Sequence, residues 1–278
     1  MEADTSPRRW IERAHLREPG DASHVMHAYE PDPACADLLR RFWVPVWSVP
    51  PGREAPQRVL QYPACLLVVS STYARFYGVV RGLSTTTLSG DGWAVGLSLA
   101  PAGGALVASG SVAPYTDRHV DLAEVLGPDG TALAARVREV MDPDPLDPGA
   151  HRAATGLVTA VARRWLPVDE EGLLVNRVVD LVEHRGVRRV GDLCAASGLG
   201  ERSLQRLVHR RLGIAPRWLV QRRRLQDAAV RLRDGTATAA QVAAELGYAD
   251  QAHLTRDFAR VTGTTPGAFA ARHRAAPA

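Results

Sequence analysis

The sequence predicts an α+β chain. A β-rich N-terminal domain, sandwich- or barrel-like with flanking helices, is followed by an all-α domain holding two helix-turn-helix motifs. Three observations point there. Residues 58–109 carry short apolar runs cut by Gly and Pro, the texture of strands. Beyond Asp121 apolar residues recur at helical spacing. One helical pattern near Leu193 is written again about fifty residues later. With 278 residues, 46% of them hydrophobic, the chain has material for two packed domains.

Residues 1–30 read as a flexible, polar arm, and residues 31–168 as the β-rich domain with helices at its C-terminal end. The segment "DLLRRFWV" at 37–44 suits a short helix or a strand. The runs "RVLQYPACLLVVSS", "ARFYGVV", "STTTL" and "WAVGLSLA" follow as strands, punctuated at "SGDG" and "PAGG". In the last run Trp93, Val95, Leu97 and Leu99 alternate with Ala94, Gly96 and Ser98, which predicts a half-buried strand. Helices are expected over 130–141 and 151–165, on either side of "DPDPLDPG", whose three prolines forbid helix. The polar "LPVDEEG" marks a domain boundary, and residues 173–274 form the all-α domain.

The repeat aligns "VGDLCAASGLGERSLQRLVHRRLGIAP" with "AAQVAAELGYADQAHLTRDFARVTGTTP". Leu193, Ala195 and Gly198 match Val242, Ala244 and Gly247 at an offset of 49; Leu204, Arg206, Val208, Gly213 and Pro216 match Leu254, Arg256, Phe258, Gly263 and Pro266 at an offset of 50. One extra residue therefore lies in the second turn. Each copy reads as helix, Gly-containing turn, helix, Gly stop and Pro restart.

On a helical wheel the second helix of each copy is two-faced. Leu204, Leu207, Val208 and Leu212 share one side, and Arg202, Gln205, Arg206, His209 and Arg210 the other. In the second copy Leu254, Phe258 and Val261 turn inward, while Ala252, Thr255, Arg256 and Ala259 face out with Gln251 at the helix start. Arg can take guanine O6 and N7 with two hydrogen bonds, Gln can do the same at adenine, and Ala and Thr can meet a thymine methyl. Arg210 and Arg260 lie at the edge of these faces, with His209 beside them, where phosphates would run. Between the copies "PRWLVQRRRLQDAAVRLRDG" predicts one helix of about 18 residues, hence about 27 Å long. Such a strut would hold two reading helices near one duplex turn apart, about 34 Å. Arg222 falls on its apolar stripe and needs either the rim or an acid.

These residues carry a resemblance. The segment from about 173 to 274 resembles the AraC/XylS-type DNA-binding domain, through "SGLGERSLQRLVHRRLGIAPRWL" and "AAELGYADQAHLTRDFARVTGTTPGAF". The resemblance implies a sequence-specific transcription regulator that reads double-stranded DNA, often activating through RNA polymerase. It places base contacts at Arg202, Gln205 and Arg206 in the first unit and at Gln251, Ala252, Thr255 and Arg256 in the second. Gly200 departs from the Ser common at that helix cap; Asp250 fills the role in the second copy. Ala252 stands where a longer polar residue is common, which implies fewer direct base contacts there. The N-terminal half is similar to sensor-type domains attached to such regulators, implying a small-molecule effector or a homodimer contact.

Charge agrees with that division. All basic residues are Arg, 16 against 21 acids in residues 1–172 and 18 against 9 acids in 173–278, so the C-terminal part alone suits a polyanion. Trp43, Trp47, Tyr62, Tyr73, Tyr77 and Trp93 are candidates to line an apolar pocket, or plain core. His24, His27 and His119 read as surface residues, and neither a metal nor a cofactor is expected. Enzyme readings fail on the residues: three scattered cysteines make no four-Cys zinc site, Cys65 sits within an apolar run, and residues 58–109 hold no His for a cupin-like metal site. The polar N-terminus and the lack of a bilayer-length apolar run predict a cytoplasmic chain without membrane contact. The competing reading is a metabolite-binding or protein-interaction module without sequence-specific DNA readout.

Overall fold

The fold comes from a computed structural model that describes residues 7–235 and 237–274. The N-terminal part is built on an antiparallel sheet of six strands. Its order is β1 (His24–Tyr29), β2 (Leu39–Val49), β7 (Gly90–Leu99), β4 (Leu66–Ser70), β5 (Ala74–Tyr77) and β8 (His119–Asp121). A separate two-stranded ribbon pairs β3 (Ala55–Val59) with β6 (Ser84–Leu88). "DLLRRFWV" thus belongs to a strand, and one that runs on to Val49.

The sheet is covered on both faces. Phe42, Val44, Leu67, Val69, Phe76, Trp93, Val95, Leu97 and Leu99 form one core with helices α4 (Pro128–Met141) and α5 (Pro148–Ala162). The opposite face lies under the ribbon and under helix α1 (Pro7–Ala14). Strand β7 is therefore buried on both sides from Trp93 to Leu99, not half-buried as its alternation suggests. The alternation instead separates large side chains on the helix side from Ala94, Gly96 and Ser98 on the ribbon side. Small residues are needed there because Trp43 and Trp47 lie across the strand. A Cβ on Gly96 would meet the Trp43 indole at 2.2 Å, and one on Gly92 the Trp47 indole at 2.5 Å.

The N-terminal segment corrects the expectation of a flexible arm. Residues 1–6 lie outside the described residues, but Pro7–Ala14 is helical and His24–Tyr29 is a strand. Trp10 packs edge-on against Trp43 and Tyr62, with ring centroids 6.3 and 6.2 Å apart. Leu16 N donates to Arg58 O and Leu60 N to Ala14 O, stitching the segment to the ribbon.

From residue 170 the chain is helical: α6 (Glu170–Glu183), α7 (Val190–Ser197), α8 (Glu201–Leu212), α9 (Pro216–Arg233), α10 (Ala239–Glu245), α11 (Gln251–Thr262) and α12 (Pro266–Arg274). The repeat is visible in the backbone. Gly198 and Gly247 take φ near +70° between the paired helices, a conformation only glycine adopts freely. The helices that follow start at 201 and 251, so the additional residue sits in the second turn. Leu204, Leu207, Val208 and Leu212 are buried on α8, as are Leu254 and Phe258 on α11.

The helix starts differ as expected. The Asp250 carboxylate accepts from His253 N at 2.7 Å, whereas Gly200 offers no side-chain cap. Asp250→Ala should cost about 1 kcal/mol of stability, and Gly200→Ser should gain a few tenths. Chemical denaturation of the two variants checks both signs.

Candidate nucleic-acid interface and internal cavity

Core packing decides which face of each second helix is left over. With the leucines of α8 turned inward, Arg202, Gln205, Arg206 and His209 are exposed. On α11, Gln251, Ala252 and Arg256 are exposed and Thr255 is half-buried, its hydroxyl donating back to Gln251 O. The sequence-derived base-reading residues thus share exposed faces, one per repeat.

The edge positions behave differently. Arg260 is 65% exposed and bonded to Asp257 at 3.1 Å. Arg210 reaches back to Glu171 on α6, and its carbonyl accepts from Val112 N of the sheet domain. Neighbouring Arg211 is buried and bridges Glu171, at 2.7 Å, and Asp169. In this arrangement Arg210 is occupied at its guanidinium, which sequence spacing could not reveal because Glu171 lies 39 residues away.

Helix α9 holds the repeats together. Gln221 donates to Asp257 at 2.8 Å, Arg224 stacks 3.6 Å from the Tyr248 ring centroid, and Arg231 pairs with Glu245. The same helix docks on the sheet domain. Arg222, only 2% exposed, finds neither rim nor acid: its Nη2 donates to Arg81 O at 2.6 Å and Gly82 O at 2.8 Å. Burial, opposed by the charge of Asp117, drops its pKa to about 10, so it stays charged at neutral pH. Trp218 donates to Arg81 O, Gln226 to Leu60 O, and Arg233 to His15 O.

Between the six-stranded sheet and the ribbon lies a cavity of about 170 Å³. Five of the six aromatic candidates line it: Trp43, Trp47, Tyr62, Tyr73 and Tyr77. Trp93 points to the other face and donates to Asp142. Trp10, His15, His24 and Gln57 also line it, none of them expected from sequence. The available signal was the Gly92–Gly96 pair in β7, which registers opposite Trp47 and Trp43 in β2. His24 is buried rather than on the surface; His119 remains exposed, its ring stacked near Tyr77. His27 is half-buried against His151, with ring centroids 4.7 Å apart.

Burial, aided by the fields of His24, Arg17 and Arg233, lowers the His15 pKa to about 4 despite its bond to Gln57. Burial also lowers that of His24, with Asp21 opposing. The Asp21 carboxyl is desolvated too, but hydrogen bonds from Ser23 and Gln57 bring it down to about 2.

Residues 193–272 match a family model described as a helix-turn-helix domain. The C-terminal domain is an AraC-type helix-turn-helix domain. A domain of this type is a module of DNA-binding transcription regulators. Residues 27–121, from β1 to β8, match a second model described as a domain of unknown function (DUF6597). No curated protein matches the sequence. Solved structures of ToxT from Vibrio cholerae are similar in outline. ToxT from strain O395 has 12% identity, 92% of this chain and 100% of that chain covered, and a TM-score of 0.39. A 1.65 Å structure of ToxT gives 12%, 90%, 98% and 0.40. The unsaturated fatty acid-bound ToxT of strain SCE256 gives 12%, 91%, 96% and 0.36. Likeness of that size assigns no ligand and no residue role here. No helix among the described residues is long and apolar enough to cross a membrane.

The cavity histidines make stability pH-dependent. In the unfolded chain His15 protonates near its ordinary value of 6.5; in the fold it does so only near 4. Its contribution is therefore intact above about pH 6.5 and is lost as pH falls towards 4, by at most ~3 kcal/mol. Urea denaturation across that window should show the loss, and His15→Gln should flatten it, leaving the smaller contribution of His24.

Proposed function

We propose that this chain is a sequence-specific transcription regulator in which α8 and α11 enter successive major grooves on one side of a DNA duplex, while the sheet domain binds a small effector. The observation that carries the reading is the matched pair of outward faces, with exposed Arg202, Gln205 and Arg206 on α8 and exposed Gln251, Ala252 and Arg256 beside half-buried Thr255 on α11. An 18-residue helix joins the two units, about 27 Å at 1.5 Å per residue. Arg206 and Arg256 suit guanine contacts; Gln205 and Gln251 suit adenine. His209 and Arg260 suit phosphates, as does Arg210 once free of Glu171. The rest of the chain then serves regulation and not catalysis, inside the cell, with RNA polymerase and a second copy of the chain as further partners.

The test is fluorescence anisotropy on cognate and random duplexes, the cognate site first selected from a random library. Arg206→Ala and Arg256→Ala should each cost about 1–3 kcal/mol on the cognate site and relax preference at one base pair. Equal loss on random DNA would reduce both to phosphate contacts and favour a non-reading module. Glu171→Gln, which frees Arg210, should tighten binding to both duplexes and steepen the salt dependence by about one unit of slope. An unchanged slope would remove Arg210 from the interface.

A further inference from the structure

The cavity has a chemical character that narrows what it takes. None of its described lining residues is Arg, Asp or Glu. Two cations stand behind its aromatic walls, each against a lining ring. Arg41 sits between the Trp10 and Tyr62 rings, 4.6 Å from each centroid, and Arg75 lies 4.3 Å from the Tyr73 centroid. Neither is a lining residue. An ionised guest would give up its water and meet no counter-charge on a lining side chain, only guanidinium groups screened from it by the rings, which is costly in an apolar enclosure. Protonating His15 to supply that charge is opposed by its burial and by Arg17 and Arg233.

Shape and hydrogen-bonding capacity add to this. The Trp43 and Trp47 indoles lie over glycine backbone in β7, giving the cavity a wall of aromatic faces. Its volume of about 170 Å³ is close to the roughly 150 Å³ void that accepts benzene. Gln57 is fully engaged, with its carbonyl on His15 and its amide on Asp21 and Ser23. The side chains of Ser98 and Gln61 have no hydrogen-bond partner among the described residues and are free for a guest.

We propose that this cavity binds an uncharged, planar ligand of one or two rings carrying a hydrogen-bonding group, and that it discriminates against carboxylates. This rests on the small-molecule reading of the sheet domain given above. Ring faces stack on the indoles, and the polar group meets the Ser98 hydroxyl or the Gln61 amide.

The test compares a matched pair, 2-naphthol and 2-naphthoate, by isothermal titration calorimetry on the full chain at pH 7.5. We expect 2-naphthol to bind and 2-naphthoate to bind at least about tenfold more weakly, the loss expected for an unpaired buried charge. Two blocking variants place the event: Ser98→Phe, which fills the cavity from β7, and Thr86→Trp, at its exposed rim on β6. Circular dichroism checks their folding, and the rim variant is informative even if the interior one unfolds. Loss of 2-naphthol binding in a folded blocking variant supports the proposal. Equal or tighter binding of 2-naphthoate, abolished by the same variants, overturns the ligand class but leaves effector binding standing. Retained 2-naphthol binding in the blocking variants places it elsewhere and overturns the proposal. If neither compound binds, and a panel of neutral, anionic and cationic ring compounds changes neither the heat nor DNA affinity, both the proposal and the sensory reading fall.

Discussion

A buried guanidinium that hydrogen-bonds to main-chain carbonyls, with no carboxylate in direct contact, fixes how the two halves of this molecule meet. Arg222 lies in the middle of the helix joining the repeats, and its nearest acceptors are backbone carbonyls at Arg81 and Gly82. A charge so enclosed is tolerated only when oxygen dipoles are aimed at it. The loop after β5 supplies them, and the Trp218 ring lies alongside at 4.7 Å. Helix α9 therefore cannot turn about its axis or slide without stranding a cation. Everything fixed to α9 inherits that constraint: Tyr248 through Arg224, α11 through Gln221, and α10 through Arg231.

The sheet domain meets that helix with the same pieces of chain that enclose the cavity. His15 turns its imidazole towards the cavity and its carbonyl towards Arg233. Leu60 gives its carbonyl to Gln226, one residue before the cavity-lining Gln61 and Tyr62. Wall and docking surface are thus opposite sides of one thin layer. The first repeat is held in another way, through Glu171 on Arg210 and Arg211 and through Thr116 on Gly213 O at 3.1 Å.

The helix-turn-helix half was legible because its signals are local. Two glycines with positive φ, the Leu–Arg–Val and Leu–Arg–Phe spacings, and a proline at each restart are separated by a few residues, and helical periodicity then fixes the outward face. The sheet domain was legible as texture only. Helix α1 was missed because it is short and rich in Arg, and the partners that hold Trp10, among them Trp43 and Tyr62, lie far along the chain. His24 is not a surface residue because residues 1–30 are not a polar arm: its neighbours in space include His15. Arg222 was seen as an anomaly on the apolar stripe, but its acceptors lie about 140 residues earlier and are main-chain atoms, which leave no mark in residue identity.

The cores do not respect the polar boundary at residues 168–173. One runs from the sheet through α6 to Leu204, Val208 and Leu219 in the first repeat, and the other joins Leu16 and Leu60 to Phe258 and Phe269 in the second. Apolar packing thus ties the two halves together across that boundary. Recombination between relatives at that boundary would graft mismatched interiors, so the halves of such a lineage are expected to co-evolve as one inheritance.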